Sequence, residues 1–213
     1  MDEILKKYSL LNQFNVSRET CLDFEKLILM IVEKNKEINI ISKETSINSI
    51  IRDRHITDSA QAIDFIDFNN TTVTDLGTGG GFPGVIVAIM LKNMKKKIKV
   101  QLYEKSHHKS FFLREVSRKL NLDTDVIQKD IFQTIDLESG SIMARAFKPL
   151  PVVLELVYKN FSSYKNLIIF MGKSGKKILK ETLENWILDY EITKSITSED
   201  SFLLNIKNIK KKN

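Results

Sequence analysis

Cysteine, proline and tryptophan are scarce in this chain, at one, three and one in 213 residues. The single Cys21 excludes an internal disulfide, a zinc ribbon and a cysteine-ligated iron–sulfur cluster, and it accords with a reducing compartment. It opens an apolar helical pattern, where a small packing residue is its ordinary use. No apolar run approaches the length of a membrane span without a charge, and no charged-then-apolar leader opens the chain. The expectation is a soluble, cytoplasmic protein with no membrane partner. Prolines and serines are nowhere gathered into a linker, and no internal repeat is present. What is there suffices for a core: 42% of residues are apolar, in a length suited to one domain or one domain with an extension. A formal charge of +6 favours a polyanionic partner.

Glycine is scarce too, but it is concentrated. Four of the eight glycines fall between Gly77 and Gly81, in the stretch Thr71–Val85 reading TTVTDLGTGGGFPGV. A β-branched run, Thr72-Val73-Thr74, suits a strand. Pro83 then stands where a helix would begin, and Val85–Leu91 is apolar enough to be that helix. A strand, a glycine turn and a helix start together aim backbone N–H groups and a positive helix end outward. Gly79-x-Gly81-x-x-Gly84 satisfies the dinucleotide fingerprint, and Glu104 follows about twenty residues on, as that fingerprint expects. Acid-x-Gly-x-Gly-x-Gly, from Asp75 through Gly77, Gly79 and Gly81, instead resembles motif I of the S-adenosylmethionine-dependent methyltransferases. An acid at the mouth would repel a pyrophosphate and suit an ammonium or sulfonium, which favours the second cofactor.

Around this turn strands and helices alternate. Met1 to about Asn39 reads as helical, with Ser17 a helix start, and Ser46–Phe65 as a second helical segment in which Arg54 and Asp58 are spaced to pair. Strands are expected at Ile98–Tyr103, Thr124–Ile127, Ile142–Ala146 and Leu167–Met171. Helices are expected at Ser106–Leu120, Pro149–Asn160 and Lys177–Trp186, and Glu191–Ile196 with Phe202–Ile206 form a closing antiparallel pair. Alternation implies an α/β fold with a mostly parallel sheet covered on both faces. With the closing pair it has seven strands, a Rossmann-like class I methyltransferase sheet over residues 67–213, preceded by an N-terminal helical extension over 1–66. Ligands of such sheets bind at the carboxyl ends of the strands. That rule gathers Asp75–Gly81, Glu104, Asp130 and Ala144–Phe147 around one crevice.

Glu104 offers two carboxylate oxygens to the two hydroxyls of a ribose. Asp130 and the backbone of Ile131 are placed to meet an adenine edge, and Phe82 either covers the ligand or staples the helix. For the acceptor, cytosine C5 chemistry needs a thiol nucleophile, and Cys21 lies in the wrong element. Amine methylation resembles an Asp/Asn-Pro-Pro-Tyr/Phe pattern after the fourth strand, where this chain has Ala144-Arg145-Ala146-Phe147-Lys148-Pro149. A ring nitrogen such as guanine N7 carries an in-plane lone pair and no proton, so orientation replaces a general base. Arg145 can hold a base oxygen, a phosphate or the cofactor. Arg52, Arg54, the basic helix face and the Lys210-Lys211-Lys212 tail are candidate phosphate contacts. A methyltransferase for another acceptor and a non-catalytic S-adenosylmethionine-binding module are the alternatives.

Asn35…Asn39, Arg54-His55…Asp58-Ser59, Asp75-Leu-Gly-Thr-Gly-Gly-Gly-Phe-Pro-Gly84, Phe112-Leu113-Arg114 and Arg145-Ala146-Phe147 occur in an order that resembles the RsmG (GidB) family, the 16S ribosomal RNA guanine-N7 methyltransferases. The resemblance runs from about Asn35 to Gly172. It implies S-adenosylmethionine bound at Gly77, Phe82, Asp130-Ile131 and Arg145, with Glu104 matching the ribose-binding acid. It implies a guanine in the decoding-region loop of 16S rRNA, reached by a monomer within a small-subunit particle or assembly intermediate. It also puts Asn39, Arg54, His55, Asp58, Ser59, Lys109 and Arg114 on the RNA side and makes Arg145 the catalytic residue. The chain departs from the family at Ala144 (usually Ser), Met171 (usually Lys) and His108-Lys109 (usually Lys-Arg).

Overall fold

The computed structural model describes residues 2–212. A short helix α1 (Glu3–Lys7) and a 3-10 turn (Ser9–Phe14) precede α2 (Arg18–Asn35), so the expected single N-terminal helix is interrupted. Asn15, at φ 50, breaks the path, and the Ser17 hydroxyl accepts from the Thr20 N–H to restart it. The helix stops at Asn35 because that side chain turns back on the following segment. Asn35 Oδ1 accepts from the N–H groups of Ile40 (2.8 Å) and Ile41 (3.1 Å), and its amide donates to the Ile41 carbonyl. The second helical segment is α3 (Asn48–Ile50), a π-helical stretch (Ile51–Thr57), α4 (Asp58–Ala60) and a 3-10 end (Gln61–Phe65).

Seven strands follow: β1 (Thr72–Leu76), β2 (Lys99–Tyr103), β3 (Thr124–Ile127), β4 (Leu137–Arg145), β5 (Phe161–Met171), β6 (Trp186–Lys194) and β7 (Phe202–Lys211). Between them lie α5 (Gly84–Asn93), α6 (His107–Lys119), α7 (Leu150–Asn160) and α8 (Gly175–Thr182). The order across the sheet is β3-β2-β1-β4-β5-β7-β6, with β1 to β5 parallel and β7 antiparallel to both its neighbours. The mostly parallel seven-stranded reading therefore stands, although β4, β5 and β7 are longer than periodicity indicates. Trp186 opens β6 instead of closing a helix, and its ring is buried. Lys210 and Lys211 end β7; Lys211 pairs with Glu155, and Lys212 just beyond donates to the Leu183 carbonyl, so these two are already engaged.

Alternate strand residues feed two cores, as the pleat requires. Val73, Met143, Ile168 and Leu203 face one side, where α2, the π-helical stretch, α5 and α6 bring Phe24, Ile28, Ile56, Ile86 and Phe112. Ile142, Leu167, Ile169 and Leu204 face the other, against Leu154 and Val157 of α7 and Leu179 of α8. The N-terminal extension therefore supplies one covering layer of the sheet. Helix α5 is apolar all round, as a helix between two layers must be, and Gly84 through Leu91 are all buried. Lys92 at its end pairs with Asp23 of α2 and donates to the Leu120 carbonyl after α6. Buried Asn166 donates to the Phe65 carbonyl and to Asn205, joining the extension to β5 and β7. No helix among the described residues is long and apolar enough to cross a membrane.

Candidate active site

The carboxyl ends of β1, β2, β3 and β4 converge on a cavity of about 320 Å³, lined among others by Gly77, Gly79, Glu104, Lys109, Asp130, Ile131, Ala146 and Phe147. Gly77 and Gly79 hold positive φ, 65° and 57°. A Cβ on Gly77 would overlap the Phe147 ring, whereas one on Gly79 would meet almost nothing. Gly80 is tight for another reason: Ile40 and Ile41 of the extension press on it, so the Asn35 turn also braces the glycine turn. Glu104 is 9% exposed; Oε2 accepts from the Gly79 N–H (3.0 Å) and Oε1 from the Ser106 N–H (2.7 Å). Each oxygen keeps a second lone pair for a ligand. Asp130 caps the turn Ile131–Gln133 through the Phe132 N–H. Phe132, 41% exposed, stacks at 5.9 Å on Phe147.

Other expected cofactor residues stand behind this crevice. Asp75 is fully buried: Oδ2 accepts from the Gly84 N–H at 2.8 Å, and Oδ1 has no partner. Burial pushes its carboxyl up to about 6, against the Thr78 hydroxyl, the Gly84 N–H and the Arg145 charge. Asp75 therefore braces the helix start and is not a charge at the mouth, and the electrostatic case against a pyrophosphate loses its footing. Gly81 (φ 98) packs on Val85 and Leu113, away from the cavity. Phe82 is buried and stacks on His55 at 4.9 Å, a staple between the turn and the extension.

Arg145, at the end of β4, points across to the π-helical stretch. Its Nε donates to Asp58 Oδ2 (3.1 Å), its NH2 to the Arg54 carbonyl (2.8 Å), and both terminal nitrogens approach His55 Nδ1 at 3.2 Å. Burial lowers the Arg145 pKa while the Asp58 charge holds it up. Burial, Arg145 and Arg54 together push His55 down to about 4, so at neutral pH the ring is uncharged and its Nδ1 is free to accept. His55 Nε2 is buried without a partner. The expected Arg54–Asp58 pair does not form, because Asp58 is taken by Arg145. A widened π turn at such a junction is a frequent mark of functional sites.

The expected RNA-side residues divide. Asn39 and Lys109 share a shallow cleft beside the crevice, and Arg54 and Asp58 line a second cavity with Arg145. Ser59 is fully buried with its hydroxyl unpaired, which takes it away from any RNA surface. Arg114 donates to the Val126 carbonyl near the sheet edge and lines neither cavity. Gln61, Ser195 and Thr197 belong to the same network and escaped the sequence reading. Asp58 Oδ1 accepts from all three, and the Ile196 N–H donates to Gln61. A polar Ser/Thr run was their only signal, and it is also what an idle loop looks like.

The family model described as rRNA small subunit methyltransferase G matches residues 20–204. A Pelagibacter ubique protein named ribosomal RNA small subunit methyltransferase G is 64% identical over the whole of both chains. A Rickettsia felis protein of the same name is 31% identical, covering 92% of this chain and 97% of its own. The chain belongs to the rRNA small subunit methyltransferase G family. Membership makes it an S-adenosylmethionine-dependent rRNA methyltransferase. Solved structures agree on the fold: the 16S rRNA methylase RmtB superposes with a TM-score of 0.53 at 10% identity over 91% of this chain and 76% of its own. A SAM-dependent methyltransferase from Aquifex aeolicus gives 0.51 at 15% identity over 72% and 90%. The crevice of this rRNA methyltransferase suits the donor. Its volume falls in the small-ligand range of about 300–1,000 Å³, two glycines bare their backbone, Glu104 brings spare carboxylate lone pairs to it, and Phe132 with Phe147 gives it a flat apolar surface.

Proposed function

We propose that this chain methylates N7 of a guanine in the decoding-region loop of 16S rRNA. The observation that carries the reading is the convergence of Gly77, Gly79, Glu104 and Asp130-Ile131 on one cavity that ends at Ala146-Phe147, the residues that follow Arg145. S-adenosylmethionine, when bound there, supplies an electrophilic methyl on a sulfonium. Glu104 would take the ribose hydroxyls, Asp130 and the Ile131 backbone the adenine edge, and the bare turn at Gly77–Gly79 would let the rest of the donor lie against the chain. N7 attacks with its own lone pair and gives up no proton, so the protein must only orient and desolvate it. That matches what surrounds Arg145: a guanidinium held rigid by Asp58, His55 and the Arg54 carbonyl, beside a His55 kept neutral.

We infer that the substrate is a small-subunit particle or assembly intermediate and that one chain suffices, in the cytoplasm, where subunits are assembled. Lys109 and Arg54 at the two cavities suit phosphate contacts. The test uses small subunits from cells lacking this protein, given labelled methyl donor and the purified chain. Label is expected in one guanine of the decoding-region loop, in the product whose backbone is cleaved by reduction and aniline at N7-methylguanosine. Label at an exocyclic amine, or in protein, would refute N7.

A further inference from the structure

A second cavity, of about 350 Å³, opens beside the donor crevice, between the end of β4, the end of β5 and the segment joining β6 to β7. Ala146 lines both cavities, so the two adjoin there. It holds a left-handed backbone, φ 50, which a non-glycine residue adopts only where its surroundings impose it. Two aromatic residues, Phe170 and Phe202, border the second cavity, and Ser198 and Ser201 bring hydroxyls to it. Arg54 lines it too and, unlike Arg145, pairs with no carboxylate among the described residues. Apolar faces with a few hydrogen-bonding groups and one available cation suit a flat heteroaromatic ring that carries a carbonyl oxygen and N–H edges.

Two walls of this cavity depend on one side chain. Asp58 Oδ2 holds Arg145 at the end of β4, while Oδ1 holds Ser195 (3.2 Å) and Thr197 (3.1 Å) of the β6–β7 segment. Gln61, one turn on, donates to the same Oδ1 and accepts from the Ile196 N–H. We propose that the second cavity receives the acceptor base, turned out of its stack, and that Asp58 is the positioning residue that keeps its two walls in register. This rests on the N7-guanine reading above. Arg54 is then the group for the base oxygen or its phosphate, and N7 would be left bare toward Ala146, on the side that adjoins the donor crevice.

Two variants test it, each measured for cofactor affinity by calorimetry and for kcat and KM on undermethylated small subunits. Ser198→Trp fills the cavity. Asp58→Asn keeps the size and unlocks the charged pair. Both are expected to lower kcat/KM for the particle by about 100-fold, with S-adenosylmethionine affinity within about twofold of wild type. A general loosening of the fold would not separate the two readouts, and thermal unfolding identifies a variant that fails to fold, leaving the other to decide. Transfer close to wild type, or cofactor affinity lost in step with transfer, overturns the proposal and leaves the N7 reading intact if the wild type still labels the particle. A wild type that labels no ribosomal RNA overturns both.

Discussion

Asp75 shows how one side chain can look like a ligand group and be a brace. It sits where motif I places its acid, yet it is sealed behind the turn and accepts from the Gly84 N–H. A carboxyl raised to about 6 in the folded chain, against about 4 unfolded, keeps its proton longer when folded. Its contribution is therefore most favourable in acid and is lost as pH rises through 4 to 6. Asp75→Asn should gain on the wild type across that window, by up to about 3 kcal/mol at pH 7. Urea unfolding of both proteins at pH 4.5 and pH 7 reads this, and a gap independent of pH would show that the carboxyl is not raised. His55 acts in the opposite sense: held near 4, it withdraws stability as pH falls from about 6.5. Gly77 gives a second residue-scale prediction. A valine there would run into the Phe147 ring and strain a φ of 65°, so Gly77→Val should abolish S-adenosylmethionine binding in calorimetry, and unchanged affinity would detach the turn from the donor.

Among the elements, the turn after α2 has the widest consequences for its size. Asn35 closes it with three hydrogen bonds, and the Ile40–Ile41 pair it positions bears on Gly80 of the glycine turn. Asn35→Ala leaves the Ile41 N–H and carbonyl without their partner and the Ile40 N–H with the Ile38 carbonyl alone, a change worth about 1–3 kcal/mol. We expect that loss in chemical denaturation, together with faster amide exchange at Gly79 and Gly80. A stability loss without the exchange effect would mean that the extension does not brace the turn. The π-helical stretch is the other informative element: apolar periodicity reads it as plain helix, but its side chains are shared among Arg145, Phe82 and the β6–β7 segment.

Across the whole molecule, residues 2–66 behave less like an appendage than like one layer of the sheet's cover. Phe24, Leu27, Ile28, Ile51 and Ile56 pack in the same buried cluster as Val73, Val85 and Met143. A chain beginning at residue 67 would expose that face of α5 and the sheet as one contiguous apolar patch, which monomers seldom tolerate. We expect such a chain to aggregate or to unfold without cooperativity, while adding residues 1–66 back within the same chain restores a single transition. A monodisperse, cooperatively folding fragment would establish the division at residue 66 as a true domain boundary.

What could be settled from the residues in order was local and periodic. The β-branched run, the glycine cluster, Pro83 and the alternation of apolar segments specify strand, turn, helix and a parallel sheet, because each depends on neighbours in sequence. Glu104 and Asp130 could be placed as strand-end acids for the same reason. What the order of residues left open depends on contacts across long separations. Asp58 meets Arg145 and Ser195, at separations of 87 and 137 residues, and no periodicity records such a meeting. Burial decided the rest: Asp75 and Ser59 became internal and Lys211 engaged Glu155 only because the layers closed over or beside them. Local backbone preference acts before the chain collapses, but the environment of a charge exists only afterwards.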